Sequence, residues 1–334
     1  MHANQSLQPY NTFGIDVKAS WVDDFTSETE LIQLLPIIRS QNTLITGGGS
    51  NILFTKDFEG LFLRNQIRGI KEVYRDAQEV VIEAGAGENW HQFVMDCVGK
   101  GFGGIENLSL IPGCVGASPM QNIGAYGVEI KDVFEYLFAI EIATGETRKF
   151  SREACQFGYR ESVFKQALKG KFIITKVAFR LQLHPKINSK YGVIEEELSK
   201  QGITSPSIQD ISKAVIAIRS SKLPDPKVLG NAGSFFKNPV VAIEILEHIQ
   251  KNHPNCPNYP STPGKVKLAA GWLIETAGWK GRRIGEVGVH EKQALVLVNY
   301  GKAEGTEVFA LSEAIINDIW EKFNIRLERE VNIY

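Results

Sequence analysis

The sequence predicts an α+β protein of two or three domains. Its 334 residues are long for one hydrophobic core. Strand-like runs joined by turn residues alternate with stretches of helical periodicity. At residues 220–226 (SSKLPDP) the periodicity breaks as it does at a domain boundary.

Each element has a local cause. Residues 27–30 (SETE) form a capping box that opens a helix to about residue 39, with Pro36 expected to bend or shorten it. Residues 43–46 read as a short buried strand running into Gly47, Gly48, Gly49, Ser50 and Asn51, and 52–54 leave that turn as another strand. Residues 70–74 and 79–84 pair as strands around a turn at Asp76-Ala77, and 90–98 form a helix. Residues 99–127 are rich in Gly, Pro, Ser and Asn and lack periodicity; a segment that long inside a compact domain implies function. Strands follow at 133–142, 147–150 and 172–183, then helices at 194–198 and 208–218. Beyond the boundary, helices are expected near 240–251, 266–277 and 307–323, and residues 325–333 close the chain as a strand-like run.

Composition narrows the function classes. Apolar residues at 43% and charged residues at 22% describe a soluble globular chain. A formal net charge of -1 supplies no global field for nucleic acid or an anionic membrane, whereas a local basic cluster would suit an anionic small molecule. Cys97, Cys114, Cys155 and Cys256 make no CxxC pair, which reads as buried free thiols in a reducing cytosol. The N-terminus lacks the basic start and apolar run of a signal peptide, and no apolar run approaches the ~18 residues of a membrane span. The expected location is cytoplasmic. The histidines show no metal spacing, so no metal is expected, and no GxSxG elbow is present.

Five motifs carry the chemistry. In residues 230–239 (GNAGSFFKNP), Ser234 stands between a flexible Ala-Gly pair and two phenylalanines that can anchor the turn in a core. Such a segment presents one rigid hydroxyl, suited to donating one proton. The glycines at 47–49 make either a tight hairpin or a backbone nest for a phosphate; neither a Rossmann nor a Walker fingerprint is present. Residues 111–127 (IPGCVGASPMQNIGAYG) are either a structural loop or a small-residue bed for a flat ring such as an isoalloxazine. Arg160, Arg219 and Lys222 are solvated charges or, together, cations for phosphates or a carboxylate. Glu328 and Glu330 share one face of a strand, as an ordinary edge or as paired carboxylates for acid–base work.

These segments occur together with NTFG at 11–14 and GYRES at 158–162, in an order that resembles the UDP-N-acetylenolpyruvoylglucosamine reductase family over nearly the whole chain. The resemblance implies an FAD-binding fold of the vanillyl-alcohol-oxidase/PCMH type plus a C-terminal α+β substrate domain. Its parts would be residues 1–70, completed by a C-terminal strand at 325–334, then 71–221, and a substrate domain at 222–324. It implies FAD as bound cofactor and NADPH as co-substrate, with hydride passing to an enolpyruvyl UDP-sugar. By resemblance Ser234 is the proton donor, with Arg160 and Glu330 stabilising the enolate. Glu330 would act in its protonated form. FAD would be held by Gly47, Gly48, Gly49, Ser50, Asn51, Pro112, Gly113, Gly116, Gln121, Asn122, Gly124 and Arg219. Tyr191, Lys222, Asn238 and Gln293 would bind the sugar. Arg329 stands between the glutamates where the family often has proline, and Cys114 and Ser118 replace other small residues. A flavin oxidase of the same fold, and a non-catalytic FAD or nucleotide-sugar binder, are the alternatives. A monomer without nucleic acid or membrane partners is expected.

Overall fold

The computed structural model describes residues 1–189 and 191–334, and the chain divides into two compact units. The first comprises Met1–Gln5, Ala19–Gly48 and Glu59–Ser221; the second comprises Ser6–Lys18, Gly49–Phe58 and Lys222–Tyr334. Among the described residues no helix is long and apolar enough to cross a membrane.

Two larger sheets build the first unit. One has four strands, spatially ordered His2–Ser6, Lys18–Phe25, Phe58–Asn65 and Thr43–Thr46. Its last pair is parallel, with Thr43 opposite Leu61 and Thr46 opposite Arg64. The helix Glu28–Ser40 opens where SETE predicts: the Ser27 side chain accepts the Glu30 amide, and the Glu30 carboxylate accepts the Thr26 amide at 2.7 Å. The helix continues past Pro36 to Ser40. Leu31, Leu35 and Ile38 recur at helical spacing and bury with Phe25, Leu61 and Leu63, so packing on the sheet outweighs the lost hydrogen bond.

The second sheet has five strands, ordered Thr147–Ser151, Phe134–Glu141, Phe172–Gln182, Glu79–Gly85 and Ile70–Arg75, all antiparallel. Its inner face packs on Trp90, Phe93 and Val94 of the helix Trp90–Gly99, with Phe179 5.0 Å from Phe93 between ring centroids. Asn89 caps that helix by accepting the Gln92 amide. Helices Gly192–Lys200 and Ile208–Lys222 close a smaller core through Ile194, Leu198, Ile211 and Val215. The second of them runs through Ser220 and Ser221, so its periodicity ends later than residue 218.

In the second unit, strands Gly230–Ser234, Val296–Asn299, Val287–Val289 and Arg283–Ile284 form one antiparallel sheet. Where helices were expected near 240 and 266, each begins as a strand. Val240–Ala242 and Lys265–Leu268 pair antiparallel before the helices Ile243–Gln250 and Ala270–Thr276 start. The β-branched Val240, Val241 and Val266 favour the pleat locally. The helix Gly305–Phe323 buries Val308, Leu311, Ile315 and Ile319 on one face. The run at 325–333 is not one strand. It makes a single bridge at Arg329 with Phe236, then Asn332–Ile333 pairs in parallel with Ile52–Leu53.

Candidate active site

In the first unit, a glycine platform meets a pair of cations. A Cβ on Gly47 would stand 2.9 Å from the Cβ of Cys114, and one on Gly48 would stand 3.3 Å from the Cα of Gly113. The two stretches therefore pack closely, with the Cys114 side chain filling the space that the bare glycines leave. The Cys114 thiol is buried among them; burial pushes its pKa up, while the Gly48 N–H it accepts works the other way. Next in the segment, Gly116 donates to the Ala86 carbonyl at 2.8 Å, and a Cβ there would meet Ala86 at 2.5 Å. The fully buried Asn122 uses its amide on the scaffold: Nδ2 donates to Glu129 and to the Gly158 carbonyl, and Oδ1 accepts the Lys131 amide.

Arg160 is the third residue of a tight turn closed by Gly158 and Glu161. Its φ of +54° is the left-handed region, costly for a residue with a Cβ. Its Nη2 donates to the Gly124 carbonyl at 2.8 Å. Arg219, on the helix Ile208–Lys222, donates Nε to the Leu110 carbonyl and also hydrogen-bonds Tyr126. Burial lowers its pKa, and the charge of Arg160 acts in the same direction. Two like charges held this way form a ready site for an anion. Seven non-glycine residues among those described have positive φ, and four of them (Leu110, Asn122, Tyr126 and Arg160) lie here. Backbone strain concentrated in one place marks a working site rather than a passive loop.

Neither Tyr126, which lies within the 111–127 segment, nor His91 is among the site residues that the sequence singles out. The Tyr126 ring stands edge-on to Tyr191, 5.6 Å between centroids. His91 Nδ1 accepts the Leu110 amide at 3.0 Å, so His91, Leu110 and Arg219 form one chain. Burial first, and Arg219 second, lower the His91 pKa. The neutral ring thus holds Leu110 above the ordinary imidazole value of 6.5, and this contribution is lost as pH falls through the depressed folded value. We expect bound FAD to be released on acidification below pH 6.5, and His91→Gln, an acceptor that does not titrate, to flatten that dependence. Flavin fluorescence against pH measures this; equal acid sensitivity in both proteins would remove His91 from the site's support.

The second unit shows why GNAGSFF has its composition. Gly230 lies against the Phe13 carbonyl, where a Cβ would come within 2.2 Å. Asn231 is 3% exposed; it donates its amide to the carbonyls of Pro224 and Leu229, and its Oδ1 accepts the Gly233 N–H. Gly233 has φ +70°, which creates the irregularity between Asn231 and Ser234 in their pairing with Val298 and Val296. Phe235 and Phe236 are fully buried, and Ser234 is exposed. The segment is thus a bulged strand rather than a plain turn, and the hydroxyl it presents is fixed from both sides. NTFG completes the clamp: Thr12 accepts the Asn231 amide, and its own amide donates to Gly49, whose φ of +61° leaves no room for a Cβ beside Tyr10.

The C-terminal run lies alongside that strand. Glu330 donates its amide to the Phe235 carbonyl at 2.8 Å, and Lys237 donates to the Glu328 carbonyl at 2.9 Å. Asn51 Nδ2 donates to the Glu330 carbonyl, and the Asn51 carbonyl accepts from Asn332. The two glutamates diverge in role. Glu328 is exposed and ion-paired with Lys237, whereas Glu330 is half-buried beside the strand that carries Ser234. Arg329 turns to the helix Gly305–Phe323, where it binds Ser312 and Glu313 and covers Phe309. Asn238 Oδ1 accepts the Ala270 amide at 2.9 Å, and Gln293 lies 3.3 Å from a Cβ placed on Gly271, so both stand at the first turn of the helix Ala270–Thr276. Lys222 is exposed at the end of its helix, and Ser50 is half-buried in the glycine turn.

The chain is similar to known proteins along nearly its whole length. A model of the UDP-N-acetylenolpyruvoylglucosamine reductase C-terminal domain matches residues 225–334. A model of an FAD binding domain matches residues 21–151. The chain is 51% identical to the UDP-N-acetylenolpyruvoylglucosamine reductase of Pseudomonas syringae pv. syringae (strain B728a), over 98% of this chain and 97% of that protein. It is 49% identical to the enzyme of the same name from Flavobacterium johnsoniae, over 100% of this chain and 99% of that protein. Among solved structures it is similar to the Thermus caldophilus UDP-N-acetylenolpyruvylglucosamine reductase, with a TM-score of 0.65 at 23% identity, covering 99% of this chain and 98% of that one. The last is a likeness of fold.

Proposed function

The chain belongs to the UDP-N-acetylenolpyruvoylglucosamine reductase family and is an FAD-dependent oxidoreductase of peptidoglycan precursor synthesis; from that premise we propose that it reduces UDP-N-acetyl-3-O-(1-carboxyvinyl)-glucosamine to UDP-N-acetylmuramate with electrons from NADPH. The residues present fit FAD. Gly47 and Gly48 pack so closely on Cys114 and Gly113 that a Cβ would clash, which joins the two glycine-rich segments, and Arg219 supplies positive charge to the same unit. We assign Gly49, Ser50, Asn51, Pro112, Gly116, Gln121 and Gly124 to the same cofactor. Asn122 would contribute through its backbone, since its side chain is committed elsewhere. Bound there, FAD supplies the hydride carrier between NADPH and the sugar.

The chain's own residues act on the enolpyruvyl group. Hydride addition to its terminal carbon leaves negative charge that spreads into the neighbouring carboxylate. Arg160 neutralises that charge, and a protonated Glu330 donates a hydrogen bond to it. Ser234 then gives its proton to the adjacent carbon. A serine is a weak acid, but the carbanion is a strong base, so a hydroxyl suffices. Tyr191 closes over the sugar, while Lys222, Asn238 and Gln293 bind it. The observation that carries this reading is the 2.8 Å bond from the Glu330 amide to the Phe235 carbonyl, which sets the Glu330 backbone beside the residue that follows Ser234.

We also read residues 71–221 as the second FAD-binding part and 222–324 as the substrate domain, with 1–70 completed from the C-terminus. The parallel pairing of Asn332–Ile333 with Ile52–Leu53 supports that completion. The same reading has the protein act as a cytoplasmic monomer. The direct test is anaerobic. NADPH should bleach the bound flavin, and the enolpyruvyl sugar alone should then restore its colour. A flavin that stays reduced until oxygen is admitted would identify an oxidase instead.

A further inference from the structure

We propose that Asn107 is a positioning residue for the substrate-closing loop: its amide fixes where Tyr191 stands by tying together the two backbone segments that hold it. Asn107 lies in the 3₁₀ turn Glu106–Leu108 and is 1% exposed. Its Nδ2 donates to the carbonyls of Tyr126 and Asn188, each at 3.1 Å. These bonds use both of its protons. Two carbonyls can be satisfied only by the nitrogen, so the partners themselves fix the amide's orientation. Its Oδ1 is buried with no hydrogen-bond partner among the described residues. The price of that orphan oxygen is accepted in exchange for the two bonds, which is how a connecting element behaves rather than a filler.

The two carbonyls belong to segments that meet at Tyr191. Tyr126 sits at φ +49°, and its ring stands at 89° to that of Tyr191. Gly127 follows at φ +78°; a Cβ there would be 3.9 Å from Tyr191 and 3.8 Å from Asn188. Tyr126 in turn hydrogen-bonds Arg219. Asn188 lies three residues before Tyr191, on a stretch without helix or strand. The Tyr191 ring itself is 41% exposed, resting on Tyr126 rather than buried by it. Removing the donor frees the Asn188 carbonyl and with it the approach of the chain to Tyr191. It also unpins Tyr126 from the conformation that gives Tyr191 its edge contact.

The inference rests on the assignment of Tyr191 as the residue that closes over the sugar, and its test separates the two. Asn107→Asp keeps the shape and replaces the donor with an acceptor; Asn107→Ala serves if the aspartate protein does not retain FAD. In the holoenzyme we expect faster hydrogen exchange at the amides of residues 186–189. The KM for the enolpyruvyl UDP-sugar should rise by about tenfold or more, with kcat and FAD content little changed. Exchange and KM both at the wild-type value overturn the proposal. So does a loss of kcat and FAD content with KM unchanged, which is the mark of a purely structural residue. Faster exchange with an unchanged KM upholds the tether and overturns the role given to Tyr191.

Discussion

Alanine at position 234 is expected to lower turnover of the enolpyruvyl sugar by about 10² to 10⁴, the usual worth of a positioned proton donor. The structure makes this a clean substitution. Ser234 is exposed at the end of a strand held by its neighbours: Asn231 accepts the Gly233 amide, Phe235 donates its own amide to Leu295, and both phenylalanines are buried. Removing one oxygen leaves those anchors in place, so the melting temperature should not move. NADPH gives up its hydride without needing a proton from this serine. Flavin reduction should therefore keep its rate within about twofold, and the whole loss should appear when the sugar reoxidises the flavin. Anaerobic stopped-flow absorbance follows the two steps separately. Wild-type reoxidation by Ser234→Ala would take the serine out of the chemistry, and a loss shared by both steps would point to displaced flavin instead.

How much of this was legible follows from the physics of each segment. Local signals read well. Ser27 and Glu30 announce a helix start, Asp76 and Ala77 a hairpin turn, and the bare glycines of 230–239 an unusual backbone. What failed depends on partners distant in sequence. Lys18–Phe25 and Phe58–Asn65 are strands because they flank each other in one sheet, not because their own residues alternate clearly. Pro36 stays inside its helix because Leu31, Leu35 and Ile38 bury on that sheet. Residues 240–242 and 265–267 look helical by spacing, yet they pair first as strands, Val240 opposite Lys267 and Val241 opposite Val266.

The site divides in the same way. Residue types told us what Ser234 and the cations could do, but not how they are held. Nothing in GYRES shows that Arg160 takes a left-handed φ. Nothing in NLSLIPG shows that Leu110 is gripped at its amide by His91 and at its carbonyl by Arg219. The departure at Arg329 resolves through tertiary structure as well. Its guanidinium is drawn away to Ser312, Glu313 and Phe309, so the family's proline is replaced without adding a charge beside Glu330.

Arg160→Lys is expected to lower kcat by about 10² to 10³, on the scale of losing one preorganised donor at a developing oxyanion. Charge is conserved in this variant, so the loss isolates geometry. The guanidinium is tied through Nη2 to the Gly124 carbonyl, which orients its plane. An ammonium has no plane and cannot hold that carbonyl while presenting a fork. Both residues pay the same strain at φ +54°, so the turn and the fold should persist. Arg160→Gly supplies the contrast. Glycine relieves the left-handed strain but loses the bond to Gly124 and adds unfolded-chain entropy, so stability should stay within about 1 kcal/mol of wild type. Turnover should nonetheless fall at least as far as in the lysine variant. Thermal melts, FAD content and the sugar half-reaction, measured on both variants, decide the matter. If the sugar half-reaction falls only in step with FAD content, Arg160 is part of the scaffold around Gly124 and Asn122 rather than the group that meets the enolate.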